Sequence, residues 1–404
     1  MFVDLIVVGG GAAGFFAAIT CAENSEKSVL ILEKASQLLH KVKISGGGRC
    51  NVTHDCFEPR ELTRSYPRGE KSLIGPFHRF GAADTVDWFA SRGVTLKTEA
   101  DGRMFPVTDD SQTIVDTLLG AARDAGVDIH TAEGVSSIVA HGDDFEVVTD
   151  AGTSYTAANV LLATGGTRLA AGAKLAESLG HELQPATPSL FTFKVKDPRI
   201  DGLQGLAVTS AEVSVQHSKL RSDGPVLITH WGLSGPGILK ISAWGARELA
   251  ERDYRFDISV NWLLDGDPAG VVADKRRSEA KRQLSSRSPF DEIPKRLWLR
   301  LLAAADVPAT TTWSQLSKTQ ATQLLDQLTT STFAVTGKST NKDEFVTCGG
   351  VSLDEIDFRT MQSKLVPGLY FAGEVIDVDG VTGGFNFQNA WTSGFIAGSD
   401  IAAR

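Results

Sequence analysis

Apolar residues follow two different rhythms along this chain. Over residues 1–190, short β-branched runs alternate with stretches whose apolar positions recur every three or four residues. That alternation predicts a parallel sheet with helices on its faces. Leu5–Val8, Val29–Leu32 and Asn159–Leu162 read as strands buried on both faces. Phe15, Ala18, Ile19 and Ala22 mark one face of a first helix, and Gly81–Arg92 and Ser111–Ala125 read as two more. Val127–Thr131, Gly134–Ala140 and Phe145–Thr149 predict strands, the last two turned at Gly142-Asp143-Asp144. After Glu33 a long polar loop is expected.

From Leu190 the pattern changes. Leu190–Val195, Ala207–Gln216, Val226–Thr229 and Tyr254–Val260 are short strands with turns between them, the mark of a β-rich insert or small barrel. Between Asp265 and Thr330 the chain becomes helical and polar, with a capping box at Ser317-x-x-Gln320. Thr332–Val335 and Phe345–Thr347 resume strand character, Gly368–Gly373 returns to the first sheet, and Asn386–Ala402 closes as a helix. The expectation is one discontinuous α/β nucleotide domain, residues 1–190 and 346–404, interrupted by an insert.

Composition alters this picture little. Charged residues at 22% and a net charge of −9 describe an ordinary acidic protein and argue against a general nucleic-acid binder. A local exception is Lys275–Arg300, where nine Lys/Arg face three Asp/Glu. A solvated helical face is the favoured reading there over an RNA or membrane patch. Four cysteines (Cys21, Cys50, Cys56, Cys348) form no C-x-x-C pair, so neither a metal site nor a redox dithiol is expected. The first strand begins by residue 4 and no apolar run approaches a membrane span, so a reducing cytoplasm is the expected address.

The chemistry gathers at the two ends. Gly9-Gly10-Gly11-Ala12-Ala13-Gly14 follows the first strand and opens the first helix. With 40 glycines in 404 residues a G-x-G-x-x-G string alone is a weak signal, but strand and helix context strengthens it. Gly9 makes the turn, Gly11 admits a pyrophosphate, and Gly14 lets helix and strand approach. Glu33, beside Lys34, ends the second strand and suits the hydroxyls of an adenosine ribose. Gly373 and Glu374 stand at the far end of the sequence, followed by Gly383, Gly384, Phe385 and Asn386. A nucleotide domain whose last strand arrives at the C-terminus points to a flavin. No second strand–GxGxxG–helix unit exists, so a nicotinamide donor would bind only transiently at the flavin face.

Ser45-Gly46-Gly47-Gly48-Arg49-Cys50-Asn51 is the second strong string. Its glycines expose backbone N–H groups as a nest for phosphate or for a flavin edge. Arg49 and Asn51 are expected to orient the ring or the substrate, and Cys50 to pack beside them. The start of the closing helix is expected to stabilise negative charge on the reduced ring. His230, in Thr229-His230-Trp231-Gly232, is the acid–base candidate, with a buried, backbone-bonded imidazole as the alternative. Arg103 is weighed against an anionic substrate and an ordinary surface role.

Taken in order, Gly9–Gly14, Ser45–Thr53, Gly102-Arg103-Met104-Phe105-Pro106, Ala163-Thr164-Gly165-Gly166, Pro188–Leu190, Thr229–Pro236, Thr347–Val351 and Gly368–Gln388 resemble the BaiN/RdsA-type bacterial NAD(P)/FAD-dependent flavoproteins. The group is also called YhiN-like or aminoacetone-oxidase-like. The resemblance implies an FAD-binding Rossmann-type (glutathione-reductase-like) domain. It also implies a β-barrel insert over 191–264 and 329–345, carrying a helical subdomain over 265–328. It further implies that Glu33, the 45–51 loop, Val135, Ala163, Thr164, Gly165, Glu374 and Asn386 surround FAD. Relatives often have a longer loop after A-T-G-G than Thr167–Gly172. The expected activity is hydride transfer between a small organic substrate and flavin N5, with O2, NAD(P)H or a quinone as the second partner. An RNA-modifying flavoprotein and a non-catalytic FAD-binding protein are the alternatives.

Overall fold

The computed structural model describes residues 1–166, 171–339 and 346–404. Residues 167–170 of the short Thr167–Gly172 loop, and Phe345, the first residue of the expected Phe345–Thr347 strand, lie outside that description. The chain divides into two units, Met1–Pro188 with Lys342–Arg404, and Ser189–Asn341.

In the first unit, parallel strands run in the order Asp128–Thr131, Val29–Glu33, Phe2–Val8, Ser154–Leu162 and Leu369–Phe371. Two short antiparallel strands, Gln362–Ser363 and Ile356–Asp357, extend the edge. The chain's last strand thus pairs directly with Ser154–Leu162, which pairs with the first. Ser154–Leu162 also holds the Val135–His141/Asp144–Thr149 hairpin antiparallel along its opening half. The β-branched runs form the middle of this sheet because both faces are covered: Leu5, Ile6, Val7, Ile31, Val160 and Leu161 are essentially inaccessible.

The first helix (Ala12–Glu23) and the last (Phe385–Ala403) pack side by side on one face of the sheet. Gly398 lies against the Ala17 carbonyl, and at Gly394 a Cβ would stand 2.6 Å from the Ala13 carbonyl. Small residues therefore set the close approach. Phe16 then meets Trp391, Phe80 and Trp88, ring centroid to ring centroid, at 5.3, 5.4 and 4.6 Å.

The second unit is built on a closed six-stranded antiparallel barrel, in order Thr192–Val195, Gly232–Ser234, Arg221–Ile228, Ala207–Val215, Phe256–Asn261 and Ser331–Ser339. Alternate residues such as Val208, Val213, Ile258, Val260 and Phe333 fill its interior. Helices Pro268–Ser278, Lys295–Ala304 and Lys318–Thr329 follow the fifth strand, and the Ser317–Gln320 capping box forms as expected.

Several details depart from the sequence reading. The segment after Glu33 is not all loop: His40–Gly48 is helical, broken at Ser45, Gly46 and Gly47. Its only buried residue is Val42, so no apolar stripe announces it. The third barrel strand starts at Arg221 rather than Val226, because polar residues 221–224 pair with Ala211–Ser214. A three-stranded sheet of Thr53–His54, Leu96–Thr98 and Arg103–Pro106 was not foreseen. Among the described residues, no helix is long and apolar enough to cross a membrane.

Candidate active site

The site begins where the first strand stops. Gly9 donates its N–H to Leu32 at 2.9 Å and lies so near residue 163 that a Cβ would stand 2.5 Å from the Ala163 carbonyl. Gly14 is pressed against the Gly9 carbonyl, so any side chain there would part helix from turn. Gly11 differs. It caps the first helix in an extended conformation without a side-chain cap, and a Cβ on it would meet nothing within 4 Å. The positive helix end, entered through Ala12 and Ala13, thus faces free space. Glu33 is fixed beside it, accepting the N–H groups of Gly10 and Ala35, both at 2.7 Å. Lys34 is exposed, and Val135 is buried at the start of its strand.

The glycine string makes a second rim. Gly46, Gly47 and Gly48 take φ of +58, +69 and +84°, a left-handed run that side-chain-bearing residues disfavour. A Cβ on Gly47 or Gly48 would meet nothing within 4 Å. Ser45 supports the run by donating its hydroxyl to Val42 at 3.0 Å and accepting the Cys50 N–H at 3.0 Å. Cys50 is fully buried at φ +60°, and burial pushes its thiol up to about 12, so the group stays protonated at neutral pH.

Arg49 does not point an unshared charge at this rim. Its guanidinium lies 4.0 Å from the Phe105 ring centre, 2.6 Å from Glu99 and 3.5 Å from Asp109. Arg103 shares Glu99 at 3.0 Å and holds Asp101 at 2.8 Å. The guanidinium expected to orient ring or substrate is thus shared with two carboxylates, and it anchors the glycine run onto Phe105.

Asn51 joins the two ends of the chain. With its amide oriented to satisfy both groups, it donates to the Thr53 carbonyl at 3.0 Å and accepts the Gly384 N–H at 2.9 Å. Gly384 caps the last helix. Tyr66 donates its hydroxyl to the Phe385 carbonyl at 2.6 Å, and the His54 ring stacks on Phe385 with Nδ1 3.0 Å from the Gly383 carbonyl. A buried Arg68–Asp379 ion pair stands behind the same turn. Asn386, expected beside the cofactor, lies in the first turn of the last helix. Its side chain donates to the Gly380 carbonyl at 2.9 Å and accepts the Gly380 N–H at 2.8 Å, closing the turn.

The returning strand completes the enclosure. Ala372 donates to Leu162 at 3.1 Å, Gly373 donates to Ser393 Oγ at 2.9 Å, and a Cβ on Gly373 would stand 2.9 Å from that of Ala13. Glu374 pairs with Lys41 and lies beside Gly165. The Thr164 hydroxyl is buried without a partner among the described residues. Lys41, His54, Tyr66, Arg68 and Asp379 went unnoticed in the sequence; only Asp379 lies inside a quoted motif.

His230 belongs to the second unit. It sits exposed in the turn after the Arg221–Ile228 strand of the second unit, next to Trp231, which is 60% exposed. That exposure overturns the alternative of a buried imidazole. The helix expected near Pro236 does form there.

The first unit alone therefore offers a helix end open at Gly11, a carboxylate fixed at the tip of the second strand, and an open left-handed glycine run. These features fit an extended dinucleotide with a second ring system, and the partnerless Thr164 hydroxyl is consistent with a missing polar partner.

The HI0933-like protein Rossmann domain family matches residues 3–400. A ribosomal RNA dihydrouridine synthase of Escherichia coli is 31% identical over 99% of this chain and 98% of its own length. A 3-dehydro-bile acid delta(4,6)-reductase of Clostridium scindens is 29% identical over 98% of both. Among solved structures, a 3-ketosteroid-delta4-(5alpha)-dehydrogenase from Rhodococcus jostii shares the fold with a TM-score of 0.55, at 15% identity over all of this chain and 97% of its own.

Proposed function

This chain belongs to the HI0933-like protein Rossmann domain family, and from that premise we propose that it is an FAD-dependent oxidoreductase reducing a carbon–carbon double bond conjugated to a carbonyl. The supporting observation is the cradle in the first unit, where Asn51 ties the glycine run to the start of the last helix. The two curated relatives lend chemistry, since one is named for making dihydrouridine and the other for reducing a delta(4,6) system.

Bound FAD supplies the hydride. The chain's own residues hold and tune it. The open end of the first helix takes the pyrophosphate, and Glu33, already ordered by two backbone N–H groups, accepts from the adenosine ribose. Glycines 46–48 line the ring side with backbone donors. The N-terminus of the last helix, fixed by Asn51, His54 and Tyr66, would stabilise negative charge on a reduced ring held beside it. NAD(P)H, bound transiently, is the reductant. No step is assigned to His230.

The substrate of this reading is a small enone or enoate. A second reading, a pyrimidine base in ribosomal RNA, is favoured by the E. coli relative and by exposed Arg277 and Arg287. Against it, Glu279 pairs with Lys275, Arg282 and Arg287 at 2.6–3.2 Å, cancelling part of the basic stretch. The test is to reduce the purified yellow protein with NADH or NADPH under nitrogen. It is then offered a panel of enones and enoates, and separately unmodified ribosomal RNA. Reoxidation with the substrate gaining two hydrogens supports the reading and selects between its branches. A protein that neither carries nor takes up FAD removes it.

A further inference from the structure

Folded proteins leave few buried polar atoms without a partner, so each one needs a cause. Four such side-chain atoms occur among the described residues: Thr164 Oγ1, Thr187 Oγ1, Gln362 Nε2 and Asn389 Oδ1. Gln362 belongs to the sheet edge and Thr187 to the strand Leu183–Ser189. Asn389 is different in its surroundings. It is 2% exposed and lies in the last helix, one turn after Phe385 and one turn before Ser393. Residues four apart share a helix face. At the far end of that face, Ser393 Oγ accepts the Gly373 N–H at 2.9 Å, immediately before Glu374. At its near end, Phe385 follows Gly384, which Asn51 holds. Asn389 thus stands between the two motif ends that form the cradle, with an acceptor that nothing among the described residues satisfies.

We infer that Asn389 is a further FAD-contacting residue, its amide oxygen accepting a hydrogen bond from an uncharged donor of the cofactor. That donor is the imide N–H of the ring or a ribityl hydroxyl. Asn386, three residues earlier, is occupied by Gly380 and leaves this task open. The inference rests on the FAD reading above and goes beyond it by choosing between two asparagines of one helix.

A substitution separates this role from simple packing. Asn389→Leu keeps the volume and removes the orphan acceptor, so the flavin-free protein is expected to melt at or above the native temperature. FAD affinity, followed by quenching of flavin fluorescence, is expected to fall about tenfold or more. Asn389→Ala reads the same loss should leucine fail to pack. FAD methylated at N3 distinguishes the donors: if the imide is the partner, the native protein binds this analogue as weakly as the variant binds FAD. If a ribityl hydroxyl is the partner, the native protein still prefers both flavins over the variant. Native-like FAD affinity in both variants overturns the inference, as does a lowered melting point with unchanged affinity. Failure of the native protein itself to bind FAD sinks the functional reading instead, and is told apart by that control.

Discussion

The first and last helices both start at a glycine without a side-chain cap, yet the two glycines serve opposite ends. Gly11 borders free space: a methyl group there touches nothing within 4 Å. Gly384 is jammed, at φ +93°, with a Cβ position 2.5 Å from the Thr53 carbonyl. One glycine leaves room for a ligand; the other leaves room for the protein. A motif match treats them alike, and only the surrounding atoms separate binding from packing.

Three perturbations sharpen that contrast. The largest effect is expected from Gly384→Ala, which combines a disfavoured backbone angle with a backbone collision and disturbs the Asn51 contact. It is expected to lose about 2–4 kcal/mol of stability in denaturant unfolding, with or without cofactor. A near-native unfolding midpoint would contradict the packing role.

Gly11→Ala is expected to be milder for the fold, because its φ of −93° suits any residue. Flavin-free stability is expected to change by under about 1 kcal/mol. FAD affinity, in contrast, is expected to drop about tenfold as the methyl enters the phosphate space. Equal losses in stability and affinity would erase the distinction between the two glycines.

The smallest effect concerns Cys50, which backs the loop leading to Asn51. Its thiol is raised from an ordinary 9.0 to about 12 by burial. Below pH 9 the folded and unfolded chains both keep the proton. Between pH 9 and about 12 only the unfolded chain ionises, so the native fold loses stability as pH rises through that window. Cys50→Ala, compared by unfolding at pH 8 and about pH 10.5, is expected to show a shallower decline. Parallel curves would mean that Cys50 is reached by solvent.

Much of the framework is legible in the amino-acid sequence. Leu5–Val8 and Val29–Leu32 had to be central strands, since runs of β-branched and aliphatic residues are stable only with both faces covered. The shift to short, alternating strands after Leu190 announced the barrel, whose interior takes every second residue. The His40–Gly48 helix escaped notice because one buried valine leaves no periodic trace. The polar start of the Arg221–Ile228 strand was missed because its pairing, rather than its burial, makes it a strand.

The site divides along a similar line. Gly9–Gly14, Glu33, Ser45–Asn51 and Gly373–Phe385 were readable because each needs a residue type, at a fixed spacing, that local backbone geometry demands. The sequence by itself also identified which family this chain joins and where its two ends must return to one sheet. It was silent on the neutralised charge of Arg49, the exposure of His230 and the contrast between Asn386 and Asn389. Those belong to the tertiary structure alone. A hydrogen bond or ion pair is settled by whichever partner lies within about 3 Å, and that partner can be hundreds of residues away along the chain.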